Sequence, residues 1–266
     1  MIDLKIDNLK FSPALSEQEN ETLYLFLCDL IKNNNVKMWY QPQYNLSDRE
    51  IIGVESLLRW HKNGIDFISP LIVFDLVERV GLNEFVDYFI VKRICKDYKA
   101  IMKKFDNSNL KIAINLTGST FKNKEIMLKI FGLIESYNIN SHNIEFELTE
   151  NILLNEKEIQ IVSELVDISR ERGFSVALDD FGVKNSTLEV LKVLNIDTLK
   201  IDKGFLDESD KTRKILNSIL CLAHSLGLKT VGEGIETQQQ EDLLKSWGCV
   251  IGQGFYFSRP KALELF

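Results

Sequence analysis

Eight short β-rich runs, most of them separated by a helical pattern, leave few folds open to this chain. The runs are VKMWYQP, IIGVESLLRW, LKIAINLT, NIEFELT, FSVALDD, TLKID, KTVGEGI and GQGFYF. Helical periodicity covers residues 70–80, 84–104, 119–137, 156–172, 186–194, 210–226 and 238–247. Gly173 and Gly227 stand where helices end before the next run. This alternation predicts an α/β fold, a TIM-like (β/α)8 barrel rather than an open sheet. The first two runs have only YNLSDRE between them, which reads as a hairpin. One strand near the start is therefore expected to run antiparallel to the rest.

Ahead of the first run, residues 16–34 read as an amphipathic helix. Ser16 and Glu19 match a capping box, and Leu23, Phe26, Leu27, Leu30 and Ile31 share one face. The expected organisation is a helical extension over 1–35 and a barrel over 36–266. With 266 residues and 45% hydrophobic content, the chain can bury one large core.

The polar residues fall at one end of the runs. The second run delivers Glu55 and Arg59, the third Asn115, and the fourth Glu147 and Glu150. The fifth delivers Asp179 and Asp180, the sixth Lys200 and Asp202, the seventh Glu233 and Glu236, and the last Gln253. In a barrel these positions surround one mouth, where barrel active sites lie. Adjacent aspartates at a strand end repel each other and lose hydration on burial, so ALDDFG demands compensating positive charge. Lys200, between Leu199 and Ile201, needs a carboxylate partner or a catalytic task. Asp202 and Glu150 also fit the role of loop caps, and Trp60 and Phe255 that of wall residues, although a nucleotide base would stack on such rings.

The donor set is rich in carboxylates. The three histidines, His61, His142 and His224, do not fall at the ends of the runs. Oxygen ligands suit the hard cations Mg²⁺ or Mn²⁺ rather than zinc, and two such ions serve phosphoryl transfer and phosphodiester hydrolysis. Net charge narrows the partner. At −7, with no basic stripe, the chain is not expected to bind duplex nucleic acid. A small anionic ligand stays open to it, provided local cations recruit it. Cys28, Cys95, Cys221 and Cys249 form no Cys-x-x-Cys motif and read as reduced thiols. The N-terminus lacks a signal-peptide core, and LYLFLCDLI is too short to span a bilayer. A cytoplasmic location without membrane insertion is the expectation.

Taken in order, YQPQYNL, GVESLLRW, NLT, FELTEN, ALDDFG, LKIDKGF, GEGIET and GQGFYFSRP resemble the EAL-domain family of cyclic di-GMP-specific phosphodiesterases, over roughly residues 36–262. The resemblance implies that Glu55, Asn115, Glu147 and Asp179 hold one metal ion, and that Asp179, Asp180 and Glu233 hold a second. It implies that Lys200 contacts the attacking water, with Glu55 and Glu233 beside it in catalysis. Gln41, Leu57 and Arg59 match substrate contacts, and Glu236 and Gln253 match residues lining the site. Glu150 matches an anchor for the loop after the double aspartate.

Two departures stand out. Ser56 replaces the alanine usual in the signature triplet; strand alternation turns it away from the metals. Val183, Lys184 and Asn185 replace threonine, glycine and tyrosine in the loop that, in the family, joins the metal site to a dimer interface. A homodimer through this loop and the helix after Asp180 is therefore an expectation whose strength the departure bears on. The function implied is metal-dependent hydrolysis of cyclic di-GMP to linear pGpG. The alternatives are a weak or inactive cyclic di-GMP receptor that signals by protein interaction, and a scaffold with an unused mouth.

Overall fold

Each β-rich run is apolar on both faces where a barrel strand must be, against the interior and against the helices. The computed structural model describes residues 12–32, 35–62, 66–149, 156–182, 188–207 and 209–266. Its strands are β1 (Val36–Asn45), β2 (Ile51–Lys62), β3 (Asp66–Ile68), β4 (Lys111–Asn115) and β5 (Ile144–Thr149). They continue as β6 (Ser175–Phe181), β7 (Thr198–Ile201), β8 (Lys229–Gly232), β9 (Ile251–Gly252) and β10 (Lys261–Ala262). The sheet runs β2-β4-β5-β6-β7-β8-β9 in parallel and closes through β1, which is antiparallel to both β9 and β2. This is the TIM-like barrel with the inverted strand that the hairpin YNLSDRE predicts.

Helix α1 (Glu17–Lys32) packs Leu23, Phe26, Leu27 and Leu30 against the barrel's outside. The Ser16–Glu19 capping box forms: Ser16 N–H donates to Glu19 Oε2 at 2.7 Å, and Glu19 N–H to Ser16 Oγ at 3.3 Å. The indole N–H of buried Trp60 on β2 donates to Asp29 Oδ2 at 2.8 Å, which ties this helix to the strand carrying Glu55.

The remaining helices are α2 (Pro70–Arg79), α3 (Asn83–Phe105), α4 (Gly118–Lys122), α5 (Lys124–Ser136), α6 (Glu156–Glu171), α7 (Leu188–Val193), α8 (Asp210–Ser225) and α9 (Gln238–Ser246). The single helix expected over 119–137 is two. Asn123 takes an extended backbone between α4 and α5, and its side chain accepts from Glu125 N and Ile126 N, so a new helix starts there. Gly227 follows α8 at φ +72, the left-handed stop expected of it.

Three strand details depart from the sequence pattern. The run GQGFYF is a strand only at its start, because the chain turns at Gly254, whose carbonyl accepts from Ser258 N at 3.0 Å. A Cβ at Gly254 would lie 2.1 Å from the Ile235 carbonyl oxygen, so only glycine fits this close approach. Strand β2 runs on to Lys62 in a hairpin with β3, so His61 does lie near a strand end. It pairs there with Phe67 rather than with the mouth carboxylates. The short strands β3 and β10 are edge additions that no alternation marked.

Candidate active site

The mouth at the C-terminal ends of the parallel strands gathers the polar residues. Gln41 on β1 stands opposite Glu55 on β2, and Asn115 on β4 opposite Glu147 on β5. Glu55 is buried, and both of its oxygens are held. Asn115 Nδ2 donates to Oε1 at 2.9 Å, and Gln253 Nε2 donates to Oε2 at 2.5 Å. The same Gln253 amide reaches Gln41 Oε1 at 3.1 Å, and its own Oε1 accepts from Gln43 Nε2 at 3.1 Å. A layer of amides from β1, β4 and the turn after β9 thus fixes the Glu55 carboxylate.

Below this layer Lys200 is buried among carboxylates. Its Nζ lies 2.8 Å from Glu147 Oε1, 3.1 Å from Asp179 Oδ1 and 2.8 Å from Glu233 Oε1. It supplies, at Asp179, part of the positive charge that ALDDFG requires. None of these contacts has the direction of a hydrogen bond, and neither oxygen of Glu147 has a hydrogen-bond partner.

Asp179 and Asp180 share the mouth despite being neighbours. In a regular strand they would point to opposite faces. Here the β6–β7 register shifts between Leu178 and Phe181, and Asp180 takes φ +56. This bulge turns both carboxylates inward. One oxygen each from Asp179, Asp180 and Glu233 lie within 4.8 Å of one another, a spacing that could hold a cation. A hard divalent ion fits this chain: the donors are all oxygen, and Glu147, fully buried, keeps an oxygen unengaged beneath them.

The electrostatics agree. Burial alone would lower the Lys200 pKa, but Asp179, Glu147 and Glu233 hold it well above the ordinary lysine range. Burial raises Glu147 well above the usual carboxylate range, against the pull of Lys200 and with the help of Glu55 and Asp179. Burial likewise lifts Glu233 to about 8, Lys200 opposing and Asp179 and Glu55 adding to it. One lysine does not neutralise the surrounding acids, so the metal-free site retains protons that the unfolded chain releases near the model-peptide value. Stability of the metal-free protein should therefore fall as pH rises from about 5 towards about 8. Added Mg²⁺ must displace those protons, so it should raise Tm more at about pH 8 than at about pH 6. Thermal melts with Mg²⁺ and with EDTA across this range check both signs; an equal Mg²⁺ effect at both pH values would remove the proton linkage.

Above the carboxylates opens a cleft of about 320 Å³, lined by Gln41, Asp202, Lys203, Glu236, Gln253 and Phe255 together with Glu55, Asp179, Asp180 and Glu233. Asp202 also caps the turn that follows β7, accepting from Gly204 N at 2.7 Å. Farther along β2, Leu57 is half-buried opposite Trp39. Arg59 is half-buried beside it, 5.5 Å from the Trp39 ring, and donates to the Leu58 carbonyl. Ser56 turns its hydroxyl to the Ala113 carbonyl at 2.6 Å, on the strand face opposite Glu55. Glu150 and the loop 183–187 lie outside the described residues. Gln43 and Lys203 were not singled out from the sequence. Period-two spacing from Gln41 would have flagged the first; no pattern marked the second.

Residues 27–260 match the EAL domain family. The chain is similar to the "Probable cyclic di-GMP phosphodiesterase PdeB" of Escherichia coli, 32% identical over 240 residues, which are 90% of this chain and 45% of that protein. It is also similar to the oxygen sensor protein DosP of Escherichia coli, 30% identical over 262 residues, which are 96% of this chain and 32% of that protein. The chain thus spans less than half the length of these curated relatives. Among solved structures, that of the PaMucR phosphodiesterase in complex with c-di-GMP superposes with a TM-score of 0.83 at 26% identity, covering 92% of this chain and 99% of that one.

Proposed function

Because the chain belongs to the EAL domain family, we propose that it hydrolyses one phosphodiester bond of cyclic di-GMP, with two divalent ions, Mg²⁺ or Mn²⁺, to give linear pGpG. The observation that carries this reading is the oxygen cluster of Asp179, Asp180 and Glu233 above the buried carboxylate of Glu147, whose Oε1 pairs with Lys200 and whose Oε2 has no hydrogen-bond partner. Glu55, Asn115, Glu147 and Asp179 would hold one ion, and Asp179, Asp180 and Glu233 the other. When bound, the ions would supply Lewis acidity to the phosphate and lower the pKa of water.

The chain's own residues do the rest. Lys200, kept charged by its carboxylates, would hold and orient the attacking water. Arg59 would neutralise phosphate charge, the more strongly for being half out of solvent. Gln253 and Asn115 keep the Glu55 carboxylate in one orientation. Gln41, Leu57 and Glu236 would complete the substrate's surroundings. Water adds to phosphorus as the bond to the 3′ oxygen breaks, which leaves a 5′-phosphate and a 3′-hydroxyl. The reaction would take place in the cytoplasm, consistent with four cysteines that form no disulfide.

Incubation with cyclic di-GMP and Mg²⁺ or Mn²⁺, resolved by chromatography, should yield pGpG, and EDTA should abolish it. Tight binding without turnover would replace this reading with that of a receptor. Neither binding nor metal stabilisation would leave a scaffold.

An apolar groove runs between α7 and α8, lined by Phe181, Leu188, Ile215, Ile219 and Leu222, and Leu188 is 66% exposed. We read this face as the one a second copy would cover. Sedimentation velocity should show a dimer that Leu188→Asp converts to monomer; a parent that stays monomeric at high concentration would end the assignment.

A further inference from the structure

Helix α3 buries a single charge, and the proposed hydrolysis leaves it unused. The other buried residues of this helix are apolar, yet Asp87 is 1% exposed among them. Taking a carboxylate out of water is costly unless it is paired and hydrogen-bonded. Among the described residues Asp87 makes no ion pair; hydroxyl and backbone N–H donors hold it. Burial pushes its pKa up to about 6, against the pull of the Thr117 and Thr120 hydroxyls and the Thr117 N–H.

What Asp87 holds is the exit of β4. Its Oδ2 accepts from Thr117 N at 2.9 Å and from Thr117 Oγ1 at 2.6 Å. Thr117 is the N-cap of α4, where a threonine hydroxyl ordinarily accepts from the first N–H groups of its helix. It makes no such bond here, because the hydroxyl is turned to Asp87. A local preference is overridden to fix the backbone two residues after Asn115. The stretch between them is pinned from the other side as well: Leu116 N donates to the Glu147 carbonyl at 3.1 Å. Asn115 then reaches Glu55 Oε1 at 2.9 Å. Its side chain is short, so the amide goes where the backbone puts it. One turn earlier on α3, Glu84 Oε1 accepts from Asn123 Nδ2 at 2.9 Å. Helix α4 is thus tied to α3 at both ends, and the Asp87 tie is the one next to Asn115.

We propose that Asp87 is a positioning residue of the metal site: through Thr117 it fixes the backbone from which Asn115 reaches Glu55 and a divalent ion. The inference rests on the reading that Asn115 and Glu55 hold such an ion. Groups that orient metal ligands without touching the metal set its affinity, and losing one typically weakens binding roughly ten- to a hundred-fold. Released from Asp87, the Thr117 hydroxyl is free to cap α4 in the ordinary way, and the turn after β4 relaxes away from the mouth.

The test measures Mn²⁺ binding to the full chain, without nucleotide, by electron paramagnetic resonance of the free ion, well below each variant's Tm. Asp87→Leu should weaken Mn²⁺ binding roughly ten- to a hundred-fold. Asp87→Asn keeps an oxygen that can accept both Thr117 donors, so it should stay within about threefold of the parent. Glu84→Ala cuts the other tie between α3 and α4 and should bind as the parent does. Thr117→Val removes the hydroxyl from the opposite partner and should lose about threefold or more, which keeps the test decisive if the leucine variant does not fold. The proposal is overturned if folded Asp87→Leu or Thr117→Val binds Mn²⁺ like the parent. It is overturned if Asp87→Asn loses as much as Asp87→Leu, which would assign the effect to charge rather than placement. It is overturned too if Glu84→Ala loses equally, which would make the effect a general loosening of α4. A parent protein that binds no Mn²⁺ overturns the metal reading in the proposed function, and this inference with it, without recourse to any variant.

Discussion

Lys200→Met is expected to lower kcat on the order of a thousand-fold while leaving substrate affinity nearly unchanged. The lysine is buried within 3.1 Å of Glu147, Asp179 and Glu233, directly beneath the last two, which line the cleft. Under the proposed hydrolysis a group in that position would act on the reacting water rather than on the bulk of the substrate, and an interaction made in the transition state leaves KM alone. Single-turnover rates and equilibrium binding separate the two effects. An unchanged chemical rate with weakened binding would make Lys200 a substrate clamp.

The same change has a thermodynamic signature. Removing one partner from a buried ionic cluster costs about 3–5 kcal/mol. The carboxylates left behind can escape part of that cost by keeping protons, which they already tend to do at Glu147 and Glu233. The metal-free variant should therefore be destabilised most at high pH and least at low pH, and divalent metal should recover part of the loss. Urea unfolding at about pH 6 and about pH 8, with and without Mg²⁺, checks the order.

Glu55→Gln is the second large effect, an expected loss of turnover on the order of a hundred-fold or more with the fold intact. Glu55 accepts from Asn115 on one oxygen and from Gln253 on the other. A glutamine must turn its NH₂ towards one of these donors, so the amide layer has to rearrange as well as lose a charge. Side-chain volume is conserved, so the core should hold, and far-UV circular dichroism with a Tm close to the parent's would show it. Metal-dependent stabilisation should weaken in parallel. Turnover at the parent rate would remove Glu55 from the metal-binding set.

Much of the site was legible because strand ends are legible. A run such as TLKID buries Leu199 and Ile201, and an ionisable residue between them is conspicuous wherever the run sits in space. Conversely, Gln43 and Lys203 line or support the site without any residue-type signal, since amides and lysines are common on surfaces. The short extent of β9 was hidden because the aromatic FYF half of GQGFYF has high β propensity, and the contact between Gly254 and Ile235 that ends the strand joins positions distant in sequence.

The sequence by itself determined the fold class, the inverted first strand and the residue types at the mouth, because periodicity and strand-end polarity are local properties. Only the tertiary structure decided that Asp179 and Asp180 face the same way. Period-two alternation assigns them to opposite faces, and the bulge that overrides it depends on the pairing of β6 with β7. Only closure of the barrel brought Gln253 to Glu55 and set Lys200 among three acids drawn from β5, β6 and the end of β8. The upward shift of the Glu233 pKa follows from the same closure, since burial and the charges of distant neighbours arise only when the strands meet.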